Sequence, residues 1–138
     1  MSVQMTELSM ELRLLIYAAF ICLLLWVPYI LAEIKVRGLS RAVGYPSGVV
    51  DDLPDWAQRA HRAHLNLVEN MAPFAVMVLV AHAVGVSNGM TVLGAHLFFW
   101  SRLAQILVMW AGTPWLRTLA FAAGLVGNLL IFVAILSA

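Results

Sequence analysis

Four stretches of the chain stay apolar long enough to cross a bilayer. The hydrocarbon core is about 30 Å thick and a helix rises about 1.5 Å per residue, so roughly 20 apolar residues span it. "LRLLIYAAFICLLLWVPYILA" (12–32) meets that length, and Pro28 is expected to kink it near its end. The second span runs 56–84, with "MAPFAVMVLVAHAV" as its apolar half. "MTVLGAHLFFWSRLAQILVMW" (90–110) and "WLRTLAFAAGLVGNLLIFVAIL" (115–136) complete the set. The pattern predicts an all-α integral membrane protein, a single domain over 1–138 built as a bundle of four transmembrane helices.

The polar residues break this pattern in one place above all. "RAHRAHLNLVEN" (59–70) opens the second span. At about 100° of rotation per residue, Arg59, Arg62, Asn66, Glu69, Asn70 and Pro73 fall on one stripe. His61 and His64 lie off it. An unpaired charge against lipid costs several kcal/mol, so the stripe must face protein or water. Two readings are open at this point. The stripe is either structural glue, with Arg59 reaching to the headgroups, or part of a site.

Other spans supply matching groups. Arg102 lies deep in the third span with Gln105 and Met109 on its face, and Glu69 is the only acid in spans two to four with which it could pair. Arg117 opens the fourth span, followed on one stripe by Phe121, Gly124 and Asn128. As an arginine at a helix end it either snorkels or binds an anion. With Arg37, Arg59 and Arg62 it would form a cationic pocket at one end of the bundle, suited to a small ligand carrying carboxylates and an amine.

Composition narrows the remaining classes. Among 138 residues, 63% are hydrophobic and 11% charged, and mean hydropathy is +0.92, which excludes a soluble globular domain. A net charge of +1 without a basic, aromatic-interleaved patch argues against nucleic acid as a partner. Cys22 is the sole cysteine, so no intrachain disulfide and no thiolate-rich metal site is expected, and the His61/His64 pair lacks further ligands nearby. The opening "MSVQMTELSMELR" has no basic region or cleavage signature, so the first helix is expected to stay. Lys35, Arg37, Arg41, Arg59 and Arg62 flank the first loop and Arg117 the third, whereas "GVSNG" has no basic residue. That bias predicts basic loops on the cytoplasmic side and both termini opposite. Ala120/Gly124 and Ala123/Gly127 in the fourth span are four apart, a spacing that favours close helix contact and oligomerisation.

"RAHLNLVENMAPF" (62–74) resembles the R-A-H-x-N-x-x-E-N-x-x-P-F signature of the MAPEG family, the membrane-associated proteins of eicosanoid and glutathione metabolism. The likeness extends to the order of the four helices, the arginine within the third and the arginine opening the fourth. It implies a homotrimer that binds glutathione between subunits near the cytoplasmic face. By the same resemblance, Arg37, Arg62, Asn66 and Glu69 would bind glutathione, Arg117 in "RTLAF" would act on the thiol, and His64 and Arg102 would support the site. For His64, whose phase is off the stripe, a structural hydrogen bond is an equal reading.

The departures bear on chemistry. Phe121 and Met109 stand where members of the family carry tyrosines, so thiolate formation would rest on Arg117 and backbone dipoles. The activity implied is addition of glutathione to a lipophilic electrophile, or reduction of a lipid hydroperoxide, with the apolar substrate arriving from the lipid. The alternatives are a non-enzymatic membrane scaffold or accessory subunit, and a small-solute transporter; the broken half-helix pairs of the latter are missing.

Overall fold

A computed structural model describes residues 7–45 and 51–138. Six helices follow in order: α1 (Met10–Leu24), α2 (Val27–Arg37), α3 (Leu39–Ala42), α4 (Asp55–Ala83), α5 (Gly89–Ala111) and α6 (Pro114–Leu136). Four spans long and apolar enough to cross a membrane result, the first formed by α1 and α2 together over Met10–Arg37.

The first span is interrupted where Pro28 was expected to kink it: α1 ends at Leu24 and α2 begins at Val27, with Leu25 and Trp26 between them still in helical conformation. Proline lacks an N–H and its ring crowds the carbonyl four residues earlier, which here is Leu24. The break is held from outside by α4. Tyr29 on α2 places its hydroxyl 2.8 Å from Nδ1 of His64, and His64 also lines a groove with Cys22 of α1. His64 therefore lies against both halves of the span. His61 packs edge-on against the same Tyr29 ring at 4.8 Å between centroids.

The other boundaries follow local chemistry. Asn88 caps α5, its Oδ1 accepting from the Met90 and Thr91 amides at 2.9 and 3.1 Å while its own amide donates to Thr91 Oγ1. Gly112 ends α5 at φ 78°, a left-handed conformation that glycine adopts without strain. Thr91 also donates to the buried Glu11 carboxylate at 2.5 Å, and Ser87 donates to it at 3.0 Å. The N-terminal end of α1 is thus fixed to the start of α5.

Packing is arranged in layers along the bundle. Leu14, Ala18, Phe74, Val78, Ala95, Phe98, Phe99 and Ile131 form the largest layer, with the Phe74 and Phe98 rings stacked 3.9 Å apart. Leu25, Leu67 and Ile106 form a second, and Ala32, Leu53 and Ala57 a third. Lipid tails are as apolar as these side chains, so close fit rather than exclusion from water holds such a bundle. The tightest fit joins α5 to α6. A Cβ on Gly127 would lie 2.5 Å from the Gly94 carbonyl oxygen, and one on Gly94 would meet the Gly127 carbonyl at the same distance. The small residues of the fourth span, expected from their spacing to favour oligomerisation, include Gly124 and Gly127, both turned against α5 of their own chain.

Candidate functional site

The stripe on α4 divides when the bundle closes. Arg59 turns toward the C-terminal end of α5 and donates from Nε to the Trp110 carbonyl at 2.9 Å. Gly112 packs beside it: a Cβ there would meet Arg59 Cδ at 3.5 Å, an ordinary van der Waals contact. Arg59, Arg62 and Arg117 line one cleft of about 220 Å³ with Met109, Gly112, Thr113 and Pro114. Because α6 starts only two residues after Gly112, the short turn brings Arg117 alongside the two α4 arginines. Among the described residues three guanidinium groups and no carboxylate line this cleft, an arrangement suited to an anionic ligand.

A second cleft of about 270 Å³ lies farther along the bundle, lined by Asn66, Gln105, Met109, Arg117, Thr118 and Phe121. Met109 and Arg117 belong to both. Behind it sits Arg102, only 3% exposed. Its Nη1 donates to Gln105 Oε1 at 2.5 Å and to Asn66 Oδ1 at 3.2 Å, and its Nη2 lies 3.5 Å from the Phe121 carbonyl oxygen. The guanidinium is flanked by the Phe98 and Phe121 rings, at 5.3 and 5.2 Å from their centroids. Gly124 makes this placement possible, since a Cβ there would stand 2.5 Å from Arg102 Nη2.

This geometry replaces one expected contact. Among the described residues no ion pair joins Arg102 to Glu69. Glu69 lies on the exposed face of α4 with Arg62, Leu65 and Val76, while Arg102 takes neutral amide partners. The physical reason is helical phase: Asn66, one turn before Glu69, is the α4 residue that reaches α5. Pro73 adds to the polarity of the outer face, because it lacks the amide that would bond the Glu69 carbonyl.

Arg37 is placed apart from the other arginines. It donates to Glu33 Oε1 at 2.7 Å and binds both carboxylate oxygens of Asp52, the Nε–Oδ2 contact being 2.7 Å. The hydrogen bond from Arg37 holds the Asp52 carboxyl below the usual carboxylate range. The pair secures the loop before α4. His64 lies beneath a shallow groove with Ala19, Cys22, Leu23, Trp26 and Met71 rather than at either arginine-lined cleft. Among the described residues no group of three His, Cys, Asp or Glu side chains is placed to hold a metal ion.

The structure brings Arg59, Arg62 and Arg117 to one cleft and Asn66, Gln105 and Arg117 to the other. Spacing had placed Gln105 on the face of Arg102 but had not shown that it would bind Arg102 and line a cleft. Thr113 and Thr118 carried no such signal.

No curated protein and no solved structure matches the chain. The family model of the MAPEG family matches residues 14–137, nearly the whole chain and all four spans. With that match and four membrane-spanning helices carrying the polar signature on the second, the chain belongs to the MAPEG family.

Proposed function

We propose that this integral membrane protein is a glutathione-dependent transferase or peroxidase, acting on lipophilic electrophiles or lipid hydroperoxides. The observation that carries the reading is the convergence of Arg59, Arg62 and Arg117 on one cleft that shares Met109 and Arg117 with a second, partly apolar one. Glutathione has two carboxylates, an amine and a thiol on a flexible peptide. The first cleft suits its carboxylates, and the shared Arg117 stands where a thiol would pass from one cleft to the next. Membership of a glutathione-associated family supports the same ligand. Phe121 and Met109 form an apolar wall against which a lipid-soluble substrate would rest near the sulfur.

The working unit in this proposal is a homotrimer. Glu69 lies fourteen residues into α4, about 21 Å along the helix at 1.5 Å per residue, which is near mid-membrane. A carboxylate exposed there against lipid is costly, and a neighbouring subunit covering the Arg62–Glu69 face would relieve it. Glu69 and Arg37 would then join the site from across that interface. The basic loops are assigned to the cytoplasmic side. A cysteine placed at Ser87 should therefore be labelled by an impermeant reagent from the non-cytoplasmic side, and cytoplasmic labelling would reverse the orientation.

Binding is the decisive test. Calorimetry on the detergent-solubilised protein should show glutathione binding, and Arg62→Ala should weaken it by about 1–3 kcal/mol, as expected for a lost charge-assisted hydrogen bond. Folded, assembled protein that binds no glutathione at millimolar concentration would reject the enzyme and leave a second reading. That reading is a membrane scaffold or accessory subunit, favoured by the absence of a phenolic hydroxyl at Phe121 and Met109.

A further inference from the structure

The outer face of α5 carries one polar pair at mid-membrane. Leu93, Trp100, Ala104, Leu107 and Ala111 are exposed along this face at helical spacing, Trp100 by 59%. The indole is fixed in place: its Nε1 donates to Nδ1 of His96, one turn earlier, at 3.2 Å, and the buried Phe99 ring packs edge-on against it with centroids 5.1 Å apart. An indole N–H only donates, so Nδ1 of His96 accepts, and the neutral imidazole carries its proton on Nε2. Among the described residues that Nε2 has no partner and is not buried. The pair thus satisfies the indole and leaves a single N–H donor at the lipid surface.

Depth decides what can accept from it. Trp100 is the middle residue of the 23-residue α5, and His96 lies about 6 Å from it along the axis at about 1.5 Å per residue. The hydrocarbon core is about 30 Å thick, so ester carbonyls and headgroup oxygens at its edge lie about 15 Å from the midplane, about 9 Å beyond His96. Water does not reach this depth to take their place. The lipid oxygen that does reach it is one carried midway along an acyl chain. We propose that the His96–Trp100 pair binds acyl chains bearing such an oxygen, the class that includes lipid hydroperoxides and hydroxy lipids: His96 Nε2 donates to the oxygen, and Leu93, Trp100 and Leu107 pack along the chain. The site lies outside both clefts and does not depend on glutathione, but it sits on the helix that carries Gln105 and Met109 to the second cleft. Oxidised chains would be retained beside the protein in preference to the surrounding lipid.

The test titrates the detergent-solubilised full-length protein, without glutathione, with linoleic acid methyl ester, its mid-chain hydroxy derivative and its hydroperoxide, and reads binding by native mass spectrometry. Methyl esters are used so that no carboxylate is drawn to the arginine-lined cleft. Wild-type protein should bind both oxygenated esters about fivefold more tightly than the parent ester, the size of one neutral hydrogen bond. His96→Phe should bring the three to equal affinity, and His96→Leu serves if that variant does not fold. His96→Gln keeps an acceptor for Trp100 and a donor for the ligand, and should retain the preference. Arg117→Ala should retain it too, because Arg117 lines the clefts and not this face. A wild-type protein without the preference, or a folded His96→Phe or His96→Leu protein that keeps it, would overturn the site. A preference lost in Arg117→Ala and kept in His96→Phe would place the oxygenated chain in the clefts instead. Disulfide cross-linking between copies through Leu93→Cys would show that another copy covers this face, and would overturn the proposal as well.

Discussion

Gly127→Leu is expected to destabilise the protein by about 3 kcal/mol or more, at the upper end of what overpacking costs, because the obstacle is backbone on both sides. An added Cβ at this position meets the Gly94 carbonyl oxygen at 2.5 Å and the Phe98 amide nitrogen at 2.8 Å. No rotamer change relieves either contact, so α5 and α6 must separate, carrying Phe98 and Ile131 out of the main packing layer. Gly124 provides a useful contrast. Its added Cβ would meet the far end of the Arg102 side chain, which can swing away, so Gly124→Ala should disturb the site more than the fold. Gly89→Ala is the control, since nothing lies within 4 Å of a Cβ there. Thermal denaturation followed by circular dichroism in one detergent ranks the three variants. A Gly127→Leu protein that melts with the wild type would show that the α5–α6 seam is not as close as described.

Arg117→Ala is expected to lower turnover about a hundredfold, the scale seen when one preorganised electrostatic stabiliser is removed. The side chain lines both clefts and is the charged group common to them. A cation beside a thiol lowers its pKa from the usual value near 8.5, so removing it should also abolish the thiolate absorbance of bound glutathione near neutral pH. Affinity should change less than turnover, because Arg59 and Arg62 remain to hold the carboxylates. Phe121→Tyr should act in the opposite direction. It puts a phenolic donor one helical turn after Arg117, facing the same cleft, and should raise turnover if thiolate stabilisation limits the rate. Unchanged turnover in Arg117→Ala, with the protein folded and binding glutathione, would reject its catalytic role.

The amino-acid sequence by itself determined the four spans, because apolar length and bilayer thickness are local quantities that need no knowledge of partners. The observed helices begin and end within a few residues of the expected limits where caps are written locally, as at Asn88 and Gly112. In the first span Pro28 interrupts the hydrogen-bond ladder, as its ring chemistry predicts, while Leu25 and Trp26 keep helical dihedrals. What packs against that interruption was not legible locally: it is His64, thirty-five residues away from Tyr29 in the chain.

Helical phase likewise placed the polar stripe on α4 but not its division. Spacing shows which side chains share a face, whereas the identity of the facing neighbour depends on how α5 and α6 rotate into place. Gly94, Gly124 and Gly127 decided that rotation by allowing backbone contact at one seam and a guanidinium at the next. Arg102 then met Asn66 and Gln105 instead of Glu69, since a charge is satisfied by the nearest geometry and not by the opposite sign found in a search of the sequence. Arg37 was drawn to Glu33 and Asp52 for the same reason, and so stands apart from the clefts of its own chain. Composition and periodicity could name the charged residues of the site; only the tertiary structure decided which of them converge, because convergence is set by contacts between helices that no single helix encodes.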